Sequence, residues 1–397
     1  MPGAGRVLIA GAGIAGLTTA IALARRGFAV EIVERAKTFG EIGAGIQLGP
    51  NAMRVMDALG LAAPVVAAGF RPRCAEIRLG DLGHQVFSLS FDSAAPAARA
   101  FVQIHRADLH AILLNAARGA GAVMTASAPA ASVAQTDEGV TLTLADATTR
   151  SADFLIGADG LRSVIQPHVV AAPPPRFTGQ VAWRATLTAA DLPPDLVAPN
   201  GTIWAGPGRH VVTYFLRGGA LVNIVAVEER TRWQEEGWTT PGDPDALRAA
   251  FAGWHPRVTG LLARVDTAYI WALRDRPPLP VWTKGRVALI GDACHPMLPF
   301  LAQGAAMAIE DGWVLAAALA RNPGPEGLAR YAALRQARTA RVQGAARRNA
   351  GRFHRRGTLG RLAEFGPMAV ANLLMPWTLR RAMRWLYDHD ATQSIGS

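Results

Sequence analysis

The sequence predicts an α/β chain in which a βαβ nucleotide-binding domain is interleaved with a mainly antiparallel sheet domain and followed by C-terminal helices. Three observations predict it. The chain opens on a strand, a glycine-spaced turn, a helix and a second strand. Its middle third alternates apolar and polar residues at the two-residue period of strands. Two further apolar stretches, 153–163 and 285–296, end abruptly at Asp159-Gly160 and Gly291-Asp292.

In the opening unit, Val7, Leu8, Ile9 and Ala10 read as a short buried strand, 17–26 as an Ala/Leu-rich helix, and 28–34 as a second strand ending at Glu34 and Arg35. Gly11, Gly13 and Gly16 have the G-x-G-x-x-G spacing. Gly11 permits the tight turn, Gly13 lets the backbone approach a pyrophosphate, and Gly16 lets helix and strand pack closely. The helix N-terminus offers free N–H groups to phosphate. Glu34 stands where an acid accepts hydrogen bonds from a ribose diol. Residues 7–24 are also an uncharged run as long as a thin membrane span, so a signal anchor is the competing reading. Three spaced glycines and the charged strand that follows argue against it.

With 397 residues, half of them hydrophobic, the chain can bury a large core in two or three domains. Cys74 and Cys294 are the only cysteines and form no ligand cluster, so neither a disulfide framework nor a metal site is expected. That fits a cytoplasmic protein. The net charge of +11 comes almost wholly from arginine, since Lys37 and Lys284 are the only lysines. Arg335, Arg338, Arg341, Arg347, Arg348, Arg352, Arg355, Arg356 and Arg361 crowd one helix and its tail, which reads as a solvated face. No aromatic-interleaved module accompanies them, so nucleic acid is not an expected partner.

Beyond Glu34, residues 39–51 form a glycine-dense loop, with glycines at 40, 43, 45 and 49 suited to backbone lying against a flat ligand or to a plain connector. A helix over 52–59 follows, then a hairpin over 75–91 turning at Gly80-Asp81 and Gly83. Residues 93–100 cross between domains. Arg106 and Asp108 begin a helix that runs to Arg118, where Asp108 complements the dipole and Arg106 can reach an anion or join a surface ion pair. Two strands around Asp137-Glu138-Gly139 precede the buried stretch that ends at Asp159-Gly160.

Residues 180–187 place Val181, Trp183, Ala185 and Leu187 on one face and Gln180, Arg184 and Thr186 on the other, as in a half-buried strand. Strands over 201–205, 210–216 and 220–227 continue the sheet. Trp233, Trp238, Trp254 and Trp271, in or beside a helical stretch, read as core. The third signature runs from Gly285 to Pro296, and Pro299, Gln303 and Gly304 lead into a helix over 305–320. Gly304 and Ala305 thus place a positive helix end beside Pro296.

Together these three stretches resemble the class A flavoprotein monooxygenases, the para-hydroxybenzoate hydroxylase-like enzymes, and within them the salicylate hydroxylase and 3-hydroxybenzoate 6-hydroxylase branch. The resemblance spans residues 6–334. It implies a FAD-binding domain over 1–72, 97–175 and 271–330, a substrate domain over 73–96 and 176–270, and a C-terminal helical region over 331–397. It implies that FAD is held by Gly11, Gly13, Gly16, Glu34, Arg35, Gly45, Gln47, Arg106, Asp159, Gly160, Asp292, Gly304 and Ala305. NADH or NADPH would bind transiently as reductant, with dioxygen as co-substrate and hydroxylation through a flavin C4a-hydroperoxide. The chain departs from the pattern at Gln166, where the family usually has arginine, leaving the nicotinamide preference open. Gln47, Pro299 and Phe300 replace histidine or glutamine of some relatives, which implies a more apolar pocket.

Such hydroxylation is easiest on a phenolate, and ionising a phenol of pKa about 10 at pH 7 costs about 4 kcal/mol. His210 and Tyr214 lie four apart on one strand and share a face, roughly 13 Å apart, so they can bracket a ring. Histidine is the better base. On position alone His210 reads first as a polar residue near a turn and Tyr214 as core; the resemblance reverses that order. The resemblance implies the catalytic group His210, Tyr214 and Pro296, with Gln47, Arg184 and Pro299 also meeting substrate. Arg184 can bind a substrate carboxylate or face solvent. The expected partner is a small aromatic acid, and the chain a monomer or homodimer. The rivals are a membrane-associated hydroxylase of quinones or lipids, prompted by the arginines and apolar residues 368–377, and a flavin-binding protein without hydroxylase activity. Pro367 and Pro376 interrupt that apolar run, so a membrane partner is not expected.

Overall fold

The computed structural model describes residues 5–40, 45–233 and 240–395. Gly43 and Trp238 lie outside them. The opening unit is strand Arg6–Ala10, helix Ile14–Ala24 and strand Ala29–Val33. The helix starts before Leu17 because extended Gly13 ends the turn and serves as its N-cap.

A six-stranded sheet runs in the order Thr283–Lys284, Val287–Leu289, Phe154–Gly157, Arg6–Ala10, Ala29–Val33, Val123–Thr125. All neighbours are parallel except the first pair. The strands of the three sequence signatures are therefore adjacent. Being parallel, they bring Gly11, Asp159 and Gly291 to one edge of the sheet, where open α/β sheets bind ligands.

The second sheet has eight strands, in the order Pro241–Gly242, Ala268–Asp275, Arg176–Thr188, Leu221–Glu229, Arg209–Leu216, Gly201–Gly206, Cys74–Leu79, Gln85–Ser90. It is antiparallel save for the pairing of Gly201–Gly206 with Cys74–Leu79. One face carries Val181, Trp183 and Ala185 and packs on helices Pro244–Ala250 and Pro256–Leu262. The other carries Ala182, Ala205, Val227 and Trp271 and meets Leu298, Phe300 and Phe353.

Four expectations change. Strand Arg176–Thr188 is covered on both faces over 180–185 rather than half-buried, because Phe300 and the long C-terminal helix close over its polar side, leaving Thr186 exposed; Arg184 is 7% exposed. Residues 45–48 are strand rather than loop: Gly45–Leu48 pairs antiparallel with Val102–His105, and this distant partner supplies what local composition does not show. Trp271 lies on strand Ala268–Asp275, buried, and not in a helical stretch.

The fourth concerns the arginines. Helix Pro325–Phe353 is not a uniformly solvated face: Arg335 is 1% exposed, and its guanidinium donates to Glu310 at 2.6 Å and Asp311 at 2.8 Å. Arg338 also reaches Glu310, at 2.7 Å, and Asn51 donates to Glu310 at 2.7 Å. The network ties helix Gly304–Arg321 to helix Pro325–Phe353 and to helix Pro50–Ala58. Burial pushes the Glu310 carboxyl up, but Arg335 and Arg338 outweigh it and hold the pKa at about 2. The stabilisation this gives is complete above the ordinary value of 4.5 and is lost as pH falls toward 2. Arg335→Met removes the buried cation shared by two buried carboxylates and is expected to cost about 3–5 kcal/mol, whereas exposed Arg381→Met should cost less than about 0.5 kcal/mol. Urea denaturation of the two variants checks this. After Pro325–Phe353 come helices Thr358–Leu374 and Pro376–Tyr387, and among the described residues no helix is long and apolar enough to cross a membrane.

Candidate active site

At the carboxyl edge of the six-stranded sheet lies a cavity of about 400 Å³, within the range of small-molecule sites. Gly11, Gly13, Glu34, Arg35, Asp159 and Gly160 line it. The three glycines divide the work. At Gly11, whose φ is +109°, a Cβ would overlap the Ala158 carbonyl, so the first turn must press against the second signature. A Cβ at Gly16 would overlap the Gly11 carbonyl, which is the close helix–strand contact. At Gly13 a Cβ would meet nothing within 4 Å, so this glycine faces open space.

Glu34 is held by N–H donors from Ala12 at 2.7 Å and Ala36 at 2.9 Å, which fixes its carboxylate at the cavity wall. One oxygen of Asp159 accepts from Val164 N–H at 2.7 Å; the other, Oδ1, is buried without a partner among the described residues. Burial raises the Asp159 pKa. A backbone cradle beside Gly13, a ribose acceptor and an orphaned buried oxygen suit a dinucleotide. His110 joins them: its Nε2–H donates to the Ala12 carbonyl at 2.8 Å and braces the glycine turn. His110 and Arg162 both line the cavity and were missed. The available signal for His110 was its place one helical turn after Arg106.

The remaining FAD candidates lie along the way to the second sheet, outside this cavity lining. A Cβ on Gly291 would lie 2.9 Å from Ala15 and 3.6 Å from Ala308, so the Gly291–Ala293 turn, with exposed Asp292, is wedged between two helix starts. Gly304 and Ala305 begin Gly304–Arg321 with no side-chain cap and stay partly exposed. Arg106 begins helix Arg106–Gly119, near enough to Arg184 to lower its pKa, though burial does so more. Gln166 is buried, its amide donating to Val170. Asp292→Ala should weaken FAD retention roughly tenfold, the loss of one hydrogen bond. Cys294→Ala, at a wholly buried packing position, should change it less than about twofold. Equilibrium dialysis against FAD separates the two.

Register defines what the second sheet offers. Across its inner face, His210 pairs with Ala205 and Val227, Val212 with Ile203 and Val225, and Tyr214 with Asn223. Arg184 pairs with Val225 and Tyr269, extending the middle row. His210 is 1% exposed and Tyr214 4%, while Ile203, Val212 and Val225 between them remain partly exposed. The face thus carries a partly exposed apolar row, with His210 and Tyr214 on either side of it and Arg184 in line with it, an arrangement that reads as the floor of a cleft. Phe300 packs at 5.0 Å on the His210 ring. At the other end, Gly45 lies so close to Tyr214 that a Cβ would overlap the ring, and its N–H donates to Asn223 at 3.0 Å. The Arg184 guanidinium lies 5.3 Å from the Trp271 ring and 5.7 Å from Tyr269, so it is not turned to solvent.

Gln47 is partly exposed on Gly45–Leu48, and its neighbour Gln103 is 0% exposed with neither amide atom partnered among the described residues. Gln103 too was missed, since nothing local distinguishes it on its strand. Pro296 is buried and offers only its carbonyl, which accepts from Gln343 at 2.8 Å. Pro299 is exposed, and it is Phe300 beside it that reaches His210.

Burial, then the neighbouring His354, lowers the His210 pKa well below 6.5, so its imidazole is neutral and can accept a proton at physiological pH. Burial raises the Tyr214 pKa, so its hydroxyl stays protonated and can donate.

The fold and these two regions define a dinucleotide-binding protein whose second sheet presents a small, apolar-floored cleft. Residues 5–346 match the family described as FAD binding domain, and the chain belongs to that family. It is 38% identical over 358 residues to 3-amino-4-hydroxybenzoate 2-monooxygenase of Streptomyces platensis, covering 88% of each chain. To 3-hydroxybenzoate 6-hydroxylase of Polaromonas naphthalenivorans it is 38% identical over 397 residues, covering 96% of this chain and 95% of that one. Among solved structures, a salicylate hydroxylase substrate complex superposes with a TM-score of 0.83 at 27% identity, covering 98% of this chain and 97% of that one. These relatives are hydroxylases of aromatic acids, so the lipid-hydroxylase and non-catalytic alternatives are set aside.

Proposed function

We propose that this chain is a FAD-dependent monooxygenase that hydroxylates a phenolic aromatic acid of the salicylate or hydroxybenzoate type, consuming NADH or NADPH and dioxygen. The observation that carries the substrate reading is the register row Ile203, Val212, Val225 and Arg184, an apolar floor ending in a buried cation between a neutral histidine and a tyrosine. Bound FAD supplies hydride acceptance and the activation of dioxygen. Its ADP half would be held by Gly11, Gly13, Gly16, Glu34 and Arg35, with Asp159 and Gly160 beside the pyrophosphate. Arg106, Asp292, Gly304 and Ala305 would hold the remainder, with Gly45 and Gln47 against the ring.

The chain's own groups then have defined tasks. Arg184 pairs with the substrate carboxylate, in a setting where burial strengthens a charged hydrogen bond. The Tyr214 hydroxyl donates to the ring substituent nearest it and fixes orientation. His210, held neutral, is the acceptor for the phenolic proton, whose release at neutral pH costs ~4 kcal/mol. The apolar floor and Phe300 exclude water, and Pro296 and Pro299 shape the wall above. In this reading the FAD domain comprises 1–72, 97–175 and 271–330, and the substrate domain 73–96 and 176–270. The protein works in the cytoplasm as a monomer or homodimer.

The test is a screen of salicylate, 3-hydroxybenzoate, 3-amino-4-hydroxybenzoate and 6-hydroxynicotinate for stimulated NADH and NADPH oxidation, with products identified. A hydroxylated product from at least one supports the reading. Reductant oxidation that yields only hydrogen peroxide with every compound contradicts it.

A further inference from the structure

His210 is the first of a chain of titratable side chains that ends at the protein surface. Its Nδ1 lies 2.7 Å from His354 Nε2, and His354 Nδ1 lies 3.1 Å from Glu229 Oε1. The His354 side chain is 2% exposed, whereas that of Glu229 is 37% exposed and pairs on its outer side with Arg356. The two histidines come from distant parts of the chain: His210 from strand Arg209–Leu216, His354 from the C-terminal cap of Pro325–Phe353. Gly208 N–H donates to the His354 carbonyl at 3.1 Å and holds the backbones together. Phe300 and Phe353 lie against the His210 ring at 5.0 and 5.4 Å, shielding its sides.

We propose that His354 and Glu229 form the exit path for the substrate's phenolic proton, and that they set which nitrogen of His210 carries the basic lone pair. The proposal rests on the reading of His210 as the base.

The argument runs inward from the surface. Burial pushes Glu229 up, but hydrogen bonds from Arg356 and His354 outweigh it and hold the carboxyl below its ordinary range, so it is an acceptor at neutral pH. A carboxylate opposite His354 Nδ1 selects the tautomer with the proton on Nδ1. His354 Nε2 is then a lone pair, which selects the proton on His210 Nδ1. His210 Nε2, on the ring edge away from His354, is left as the basic nitrogen. Gln180, from strand Arg176–Thr188, also meets His354 Nδ1, with its Nε2 3.3 Å away and its buried Oε1 unpartnered among the described residues; the flipped carboxamide, Oε1 toward that nitrogen, satisfies the orphaned oxygen and reinforces the same tautomer.

The transfer balances. The phenol O–H bond breaks, its electron pair stays on oxygen, and the proton joins His210 Nε2. The His210 Nδ1 proton passes to His354 Nε2, the His354 Nδ1 proton passes to Glu229, and Glu229 releases it to water. Each imidazole gains one proton and loses one, so neither buried ring is left charged, and the one charge that remains is the substrate's phenolate. Reprotonation of the product along the reverse path restores the starting tautomers.

The test uses FAD-loaded parent, Glu229→Gln and His354→Gln with 3-hydroxy-4-nitrobenzoate, whose phenolate absorbs visibly. Stopped-flow mixing at pH 6 and pH 8, in H2O and D2O, follows ionisation of the bound probe. In both variants ionisation should slow by about tenfold or more at pH 6, with FAD content and probe Kd within about twofold of the parent. Added imidazole should restore part of the rate in Glu229→Gln, whose surface position leaves the fold intact. Parental ionisation rates and an unchanged D2O effect in both variants overturn the path while leaving the hydroxylase reading standing. A parent that fails to bind or ionise the probe overturns the reading of the cleft and the path with it.

Discussion

Gly13→Leu is expected to purify without flavin and to take up no FAD on reconstitution, a loss of affinity of more than about 10²-fold. A Cβ at Gly13 meets no protein atom within 4 Å, so the side chain starts in open space and extends into the region through which the pyrophosphate approaches the backbone. Gly16→Leu is the contrast. Its Cβ would overlap the Gly11 carbonyl, so it should lower the denaturation midpoint whether or not FAD is present. Flavin absorbance per protein and circular dichroism separate the outcomes: a yellow Gly13→Leu protein contradicts the placement of the cofactor, and an unfolded one contradicts the open space at Gly13.

His210→Ala is expected to slow substrate hydroxylation by about 10²-fold or more while FAD stays bound, because a general base contributes about that much. The sign of its pH dependence follows from burial. The pKa of His210 lies well below 6.5, so the basic form prevails at neutral pH and the parental rate falls only in acid, as the imidazole protonates. In the variant that acid limb should vanish and the residual rate should climb with pH toward the phenol's own ionisation. Steady-state rates of product formation from pH 5 to 9 check both points.

Most of the cofactor region was legible because its signals are local. Gly11, Gly13 and Gly16 each carry a separate steric reason, visible in the spacing alone, and the signatures ending at Asp159 and Gly291 announce buried parallel strands that the sheet places side by side. What escaped the sequence depends on partners far along the chain. Gly45–Leu48 lies in the glycine-dense stretch 39–51 and becomes a strand because Val102–His105 supplies its hydrogen bonds. Arg335 sits in a run of arginines that composition assigns to solvent, yet Glu310 and Asp311, on another helix, draw it into the core. Arg184 alternates as a polar-face residue should, but a second layer covers that face. The spacing of His210 and Tyr214 showed that they share a face. It could not show His354 behind His210, 144 residues away, or the partly exposed row between them that makes the face a cleft.

The central claim is that one atom of dioxygen enters the ring of a phenolic acid. The most direct measurement is a single turnover of NAD(P)H-reduced holoenzyme with 18O2 and the hydroxybenzoate that most stimulates NAD(P)H oxidation, followed by mass spectrometry of the product. The account predicts one 18O in the new ring hydroxyl of each product molecule. Label found only in hydrogen peroxide, or a hydroxyl whose oxygen comes from water, would contradict it.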